Sequence, residues 1–203
     1  MVRVAVVGAG VVGDRVARRL PTVMHRAVIV QVDPRSPRPW PSGLDVAVLA
    51  HGGPHAPAAS QLLDLGVAVV SVSDDLADVR ALADLDHRAA AAGVPLVVGA
   101  GMAPGLTGLL ARLLASELAS CDEIHVAIHG TAGPACARRQ HNALRGRAIG
   151  LHDRSWIQRP AGSGRELCYF PEPVGPYDCY RAELASPVLL HEAFPDAERI
   201  SAR

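Results

Sequence analysis

The chain has 203 residues, 49% of them hydrophobic, and its 20 basic residues balance 20 acidic residues to a formal net charge of zero. This length allows one large domain, or one domain with part of a second, and the composition is that of a folded chain. A neutral charge and only 3% aromatic residues argue against a nucleic-acid partner. Every basic residue is arginine, so any mechanism that needs a lysine is excluded.

The sequence carries no sign of export, of a membrane span or of a metal site. It has no signal-peptide pattern, no apolar run long enough to cross a bilayer and no C-x-x-C pair. His51 and His55 flank a Gly-Pro loop instead of sharing a helix, and His125 and His129 stand too far apart on a predicted strand to chelate jointly. We therefore expect a cytoplasmic protein with reduced thiols and no metal ion.

The first half of the chain alternates apolar runs of strand length with segments of helical periodicity. The pattern predicts strands at residues 2–7, 27–32, 45–50, 67–72 and 94–98, and helices at 11–20, 58–65, 75–92 and 106–118. Four prolines between residues 34 and 41 exclude a helix there. This order predicts an α/β fold with a doubly wound parallel (Rossmann) sheet, in a domain that spans residues 1–119.

The pattern of apolar and polar residues changes after residue 119. Residues 120–203 are predicted to form a second, smaller α+β domain, either complete or cut short where the chain ends. A strand with alternating apolar residues is predicted at 123–129 and a basic helix at 134–145. Short strands are predicted at 167–170 and 179–184, a helix at 186–194, and a further strand is expected to begin near Ile200.

The turn after the first predicted strand has the spacing G-x-G-x-x-G. Its residues are Gly8, Ala9, Gly10, Val11, Val12 and Gly13. The first glycine permits the tight turn, the second lets the backbone approach a pyrophosphate, and the third lets the helix pack closely on the strand. The helix N-terminus then offers unpaired N–H groups and a positive dipole end to the phosphates. The alternative is a turn that holds no ligand.

The choice between NAD and NADP depends on the end of the second predicted strand. Asp33 lies about twenty residues beyond the glycines, where an acid accepts hydrogen bonds from the ribose hydroxyls and favours NAD. Arg35 and Arg38 follow and offer guanidinium groups to a 2′-phosphate, so NADP stays open. The third strand leads into Ala50-His51-Gly52, which we expect beside the nicotinamide ribose. His51 is either a proton relay or a loop histidine that merely packs or faces water.

A second glycine-rich turn, Gly99-Ala100-Gly101-Met102-Ala103-Pro104-Gly105-Leu106, follows the fifth predicted strand, with Pro104 where a helix is expected to start. With the first glycine turn, it resembles the saccharopine dehydrogenase-like family of NAD(P)-dependent oxidoreductases, which carry a similar G-x-x-P-G-L/I turn. The resemblance covers residues 2–118. It implies hydride transfer at a C–N centre of an amino acid or imine, and a second domain that binds substrate and often mediates dimerisation.

Three features depart from the family pattern. The proline-rich stretch replaces the helix expected after Asp33, the chain is shorter than is usual in the family, and lysine is absent. Saccharopine itself is therefore not supported as the substrate.

The sequence assigns no catalytic residue, although several groups are candidates. Histidines that suit a proton relay, if they are not simply packed or solvated, are His125, His129, His141 and His152. Arg138 and Arg139, in the first turns of the helix that Thr131-Ala132-Gly133-Pro134 opens, suit a substrate carboxylate unless they form a solvated basic face. Cys136 lies near the same helix start, where a thiol pKa is often lowered.

Three hypotheses follow from these residues. The first is a cytoplasmic NAD(P)-dependent oxidoreductase that acts on a small molecule bearing a carboxylate. The second is a non-catalytic dinucleotide-binding module or redox sensor, and the third is a cysteine-based transfer at Cys136. We expect a homodimer with no nucleic-acid or membrane partner.

Overall fold

The computed structural model describes residues 1–35, 39–130 and 132–203. They form two compact units, Met1–Gly101 and Met102–Arg203. The sequence pattern places a boundary at residues 119 and 120, whereas the helix Leu106–Ala115 groups with the second unit, where it contacts the helix Ser186–Ala193. Within the described residues, no helix combines the length and the apolar character that crossing a bilayer requires.

The first unit is built on a five-stranded sheet. Its strands are β1 (Val2–Val7), β2 (Ala27–Val32), β3 (Val46–Leu49), β4 (Ala68–Ser71) and β5 (Leu96–Val98). They lie in the order β2-β1-β3-β4-β5 and every neighbouring pair is parallel, which confirms the predicted Rossmann-type α/β fold. The helices of this unit are α1 (Val11–Val23), α2 (Ala56–Asp64), α3 (Leu76–Ala83) and α4 (Asp86–Ala92).

The core of this unit explains why the sequences of its central strands lack the alternation of apolar and polar residues. Val7 and Leu49 are fully buried and belong to one cluster with Leu62 and Leu63 of α2 and Leu82 of α3. Val4 and Val6, whose side chains alternate with these along β1, are buried as well. A strand that is covered on both faces needs apolar residues at every position, and this removes the two-residue alternation of a half-exposed strand.

Two predicted helices of the first unit have different bounds in the structure. The segment predicted as one helix at 75–92 is α3 and α4, interrupted at Asp84 and Leu85. The Leu85 N–H donates to the Leu82 carbonyl at 3.1 Å, and the break lets both leucines pack on the same core. The first helix continues through Pro21 to Val23, past the predicted end at residue 20.

The second unit has a mixed sheet of four strands and a separate hairpin. The sheet orders β6 (Glu123–Val126), β11 (Arg199–Ala202), β7 (Arg147–His152) and β8 (Ser155–Pro160), and the hairpin pairs β9 (Glu166–Phe170) with β10 (Gly175–Cys179). Its helices are α5 (Leu106–Ala115), α6 (Pro134–Ala143) and α7 (Ser186–Ala193). Leu190 and Phe194 from the α7 region pack on Ile124, Leu151 and Ile200 of the sheet. The smaller mixed α+β domain that the sequence predicts is therefore present.

Three local predictions in this unit are wrong or incomplete. The β7–β8 hairpin is not predicted, because its turn residues Asp153 and Arg154 both have positive φ, 49° and 58°, without the Asn-Gly signal that usually marks such a turn. The strand predicted at 179–184 is wrong, because residues 180–184 are not in a strand and the strand at this place, β10, ends at Cys179. Helix α5 begins at Leu106 after an N-cap at Gly105, so Pro104 precedes the helix instead of starting it.

Candidate dinucleotide site

The glycine turn after β1 and the loop after β3 lie at the same edge of the parallel sheet. The chain runs from β1 outward to β2 and then back to β3 on the other side of β1, so the strand order reverses between β1 and β3. Ligands of open α/β sheets bind at the carboxyl ends of the strands at such a point. The Gly8 N–H donates to the Val32 carbonyl and the Ala50 N–H to the Val7 carbonyl, both at 2.8 Å, and these bonds hold both loops at that edge.

The three glycines of the first turn are required for different reasons. Gly8 has a φ of 130°, and a Cβ there would overlap the Ala50 carbonyl. A Cβ on Gly13 would overlap the Gly8 carbonyl, so close packing of α1 on the turn requires that glycine. Gly10 has an ordinary φ of −87°, and a Cβ there would meet nothing within 4 Å. The described residues therefore give no internal reason for glycine at position 10.

The space beside Gly10 lies at the N-terminus of α1. Gly10 is the N-cap, and no side chain accepts a hydrogen bond from this helix end within the part of the chain that is described. The first N–H groups of a helix have no intrahelical partner, so they suit an anion. The acidic residue of the first turn, Asp14, forms an exposed ion pair with Arg18 at 2.6 Å, which offsets its charge.

Asp33 and Arg35 form one ion pair at the end of β2. Arg35 donates from its backbone N–H and from Nε to Oδ1, at 2.9 and 3.0 Å, and from Nη2 to Oδ2 at 2.8 Å. The side-chain hydrogen bonds from Arg35 lower the pKa of Asp33 to about 2. Asp33 and Arg35, which the sequence assigns to competing cofactors, therefore bind each other. Arg38 lies outside the described residues.

A buried histidine anchors the loop that follows β3. His55 is 1% exposed, its Nδ1 lies 2.8 Å from Ser71 Oγ and its Nε2 lies 3.0 Å from the His51 carbonyl oxygen. The N–H groups of His55 and Ala56 donate to the Asp78 carboxylate at 2.9 and 3.0 Å. Asp78 of α3 therefore caps α2, and the network fixes the loop that carries His51 and Gly52.

Sequence reasoning missed Ser71 and Asp78. The Asp75-x-x-Asp78 spacing is a recognisable start of α3, and the Asp78 N–H donates to Asp75 Oδ1 at 2.9 Å. That signal reveals a local cap but not the contact with His55, which lies 23 residues earlier in the chain. No sequence pattern marks Ser71 as the partner of a buried imidazole.

His51 is poorly suited to relay protons. Its ring centroid lies 4.4 Å from that of His55, and its Nε2 is buried with no hydrogen-bond partner among the described residues. Burial, and to a smaller extent the neighbouring His55, lower the pKa of His51 to about 4, although Asp78 acts in the opposite direction. The imidazole is therefore neutral near pH 7, which counts against the predicted relay at this position.

Each histidine candidate of the second unit has a described partner. His129 packs against Tyr177 and Phe170, with ring centroids 4.3 and 5.6 Å away. The other contacts join His125 to Ser201 and Glu123, His141 to Arg145, and His152 to Asp153 and Arg199. The described residues contain no group of three or more metal-ligating side chains.

The predicted carboxylate-binding helix is present as α6. It begins at Pro134 after an N-cap at Gly133, and within the described chain no side chain caps it. Arg138 is exposed on this helix, and Cys136 is a partly buried free thiol. Thr131, in the loop before the helix, lies outside the described residues.

The sheet order, the glycine turn at its reversal point and the uncapped α1 define the first unit as a Rossmann-type α/β domain. No family model matches the chain, and no curated protein matches it. GenD2 from gentamicin A biosynthesis, solved in complex with NAD, is 18% identical with a TM-score of 0.50, over 99% of this chain and 64% of GenD2. At that identity the likeness shows the fold alone.

Two other solved structures match with lower TM-scores. The probable oxidoreductase YhhX is 13% identical with a TM-score of 0.44, over 100% of this chain and 64% of YhhX. Homoserine dehydrogenase from S. aureus is 21% identical with a TM-score of 0.35, over 49% of this chain and 32% of that enzyme. The chain thus spans less than two thirds of the length of each of these proteins.

Proposed function

We propose that the first unit binds a nicotinamide dinucleotide at the Gly8–Gly13 turn. The observation that carries this proposal is Gly10, since neither its φ nor its surroundings require glycine, yet it opens space at an uncapped helix N-terminus. A pyrophosphate held against the backbone gives the missing reason. The likeness of fold to GenD2, whose structure contains NAD, supports this choice of ligand.

Three parts of the first unit would hold this cofactor. The N–H groups at the start of α1 would bind the pyrophosphate, the Asp33–Arg35 pair would face the adenosine ribose, and the Ala50–Gly52 segment would lie along the nicotinamide ribose. The Asp33 carboxylate has acceptor capacity beyond the hydrogen bonds from Arg35, and it would accept hydrogen bonds from the ribose hydroxyls, which favours NAD. Arg35 pairs with Asp33 and so reduces the repulsion between this carboxylate and a 2′-phosphate, which leaves NADP as an alternative cofactor.

We further propose that the protein is an oxidoreductase acting at a C–N centre of an amino acid or imine, as the saccharopine dehydrogenase-like resemblance implies. The nicotinamide supplies the hydride donor or acceptor when bound. The chain itself would bind and orient the substrate. Arg138 and the N–H groups at the start of α6 would bind the substrate carboxylate.

A non-catalytic dinucleotide-binding module or redox sensor is the second candidate, and the histidines beside the turn favour it. His51 has a pKa of about 4, and both ring nitrogens of His55 are within hydrogen-bond distance of protein partners. His51, on the loop after β3, is therefore poorly suited to move a proton near pH 7.

Fluorescence titration with NADH and then NADPH tests the binding proposal. Saturable enhancement of nicotinamide emission is expected, with NADH bound more tightly. Oxidation of the bound reduced cofactor in the presence of keto acids and amines tests the reaction. Binding without turnover over a broad panel would favour the sensor, and binding of neither dinucleotide would refute both candidates.

A further inference from the structure

The sheet of the second unit has a cleft of about 410 Å³ on the face away from its apolar core. Ile200 and Ala202 of β11 belong to that core, and their neighbours Arg199, Ser201 and Arg203 point to the opposite face because side chains alternate along a strand. All the residues that line the cleft belong to the second unit. The volume of the cleft lies in the usual range for sites that bind small molecules.

The cleft has more positive than negative charge. The charged residues that line it, histidines aside, are Arg159, Arg181, Arg199, Arg203 and Glu166. Arg203 Nη2 pairs with Glu166 at 2.5 Å, and Arg199 Nη1 pairs with Glu123 at 3.3 Å. Within the described chain, Arg159 and Arg181 take part in no ion pair. Two guanidinium groups therefore face the cleft without a protein carboxylate.

Several contacts hold the guanidinium groups in place. Arg203 Nη1 donates to Ser201 Oγ at 3.1 Å, and that oxygen lies 2.8 Å from His125 Nδ1. The side chain of Arg203 is only 13% exposed. Arg181 lies directly over Gly164, where a Cβ would overlap its guanidinium. A guanidinium that is positioned in advance loses less entropy when it binds an anion.

The arginines also have more donors than the surrounding chain satisfies. The Nε–H groups of Arg199 and Arg203 are buried and have no hydrogen-bond acceptor among the described residues. A buried donor without an acceptor costs free energy. An anion in the cleft relieves the unbalanced charge, and its oxygens are the acceptors that arginine forks prefer.

We propose that this cleft is a binding site for a small dianion, one that carries two carboxylates or a phosphate group. The free guanidinium groups of Arg159 and Arg181 bind the oxyanions directly, and the fixed Arg199 and Arg203 supply the positive field.

The test is a titration of the full chain with succinate and, separately, with inorganic phosphate at low ionic strength, followed by the NMR signals of arginine Nε–H groups. We expect saturable shifts of the Arg159 and Arg181 signals. The double variant Arg159→Gln/Arg181→Gln should bind at least about tenfold more weakly. The control is Arg147→Gln, which removes one positive charge and is therefore compared with each single variant. Arg147 is an exposed β7 residue that is bonded to Gln158 and lies outside the cleft.

The outcomes separate the ligand classes and can overturn the site. Tighter binding of succinate assigns the cleft to dicarboxylates, tighter binding of phosphate assigns it to phosphate groups, and equal affinity assigns it to dianions in general. Thermal melting checks that the variants fold, and each single variant replaces the double variant if the latter does not. Absence of saturation with both probes, or an equal loss of affinity in the Arg147→Gln control, would overturn the proposal.

Discussion

Glycine is required at positions 8 and 13 by the fold itself, and at position 10 it is not. Carbonyl oxygens occupy the space of a Cβ at the first two positions, and Gly8 also has a φ that L side chains rarely adopt. Gly10 has room for a side chain and an ordinary backbone conformation. The motif therefore combines two packing requirements with one position whose glycine the proposed ligand would explain.

At the residue scale, His51 makes stability depend on pH. Its pKa is about 4 in the folded protein against 6.5 for an ordinary histidine, so below about pH 6.5 the unfolded chain binds a proton that the folded chain does not. The free energy of unfolding should therefore fall as the pH is lowered from about 7 to about 5. Urea unfolding at both values measures this change.

The His51→Gln variant isolates the contribution of this histidine. It should show a smaller loss of stability over the same pH interval, while the exposed His87→Gln variant on α4 should behave like the wild type. An identical pH dependence in wild type and His51→Gln would show that the ring is not held neutral by burial.

At the element scale, the α2 start depends on a residue of another helix. Asp78→Ala removes the acceptor of two N–H groups, one of them on the fully buried His55, and leaves these donors unsatisfied. We expect a loss of about 2–3 kcal/mol in the free energy of unfolding, measured with urea. Asp84→Ala, at the exposed C-terminus of α3, is the matched control and should change stability by no more than about 0.5 kcal/mol. Equal losses of stability in the two variants would contradict the capping role of Asp78.

The β7–β8 turn stores a small strain. Arg154 has a φ of 58° and its side chain forms an exposed ion pair with Glu198, which contributes little. The variant Arg154→Gly should raise the free energy of unfolding by about 0.5–1 kcal/mol, because glycine adopts this conformation freely. Thermal melting of the variant checks this. A decrease in melting temperature would mean that the ion pair outweighs the backbone strain.

Strands could be predicted where their residue types alone indicate that they are buried. Apart from Arg3, Val2–Val7 is apolar and leads into glycines, which predicts both a buried strand and its end. The turn at Asp153 and Arg154 was missed because Asp153 is followed by arginine and not by the glycine that usually completes such a turn. The role of Asp78 was missed because it depends on a contact with His55 that only the folded chain creates.

At the scale of the whole molecule, the predicted homodimer has a candidate surface on α5. Leu109, Leu113 and Leu114 are 71%, 62% and 66% exposed, and large apolar surfaces commonly mark contacts with other proteins. Light scattering at micromolar concentration should give the mass of a dimer, and Leu109→Gln/Leu113→Gln should reduce it to that of a monomer. A monomeric wild type would contradict the prediction.

The dinucleotide site is tested most directly by calorimetric titration of wild type and Gly10→Ala with NADH and NADPH. The wild type should bind at least one of them, and Gly10→Ala should bind at least about tenfold more weakly, because its methyl group enters the space given to the pyrophosphate. The melting temperature should fall by no more than about 4 °C, since the position accepts a Cβ. Failure of the wild type to bind either dinucleotide, or equal affinities in the two proteins, would contradict the account.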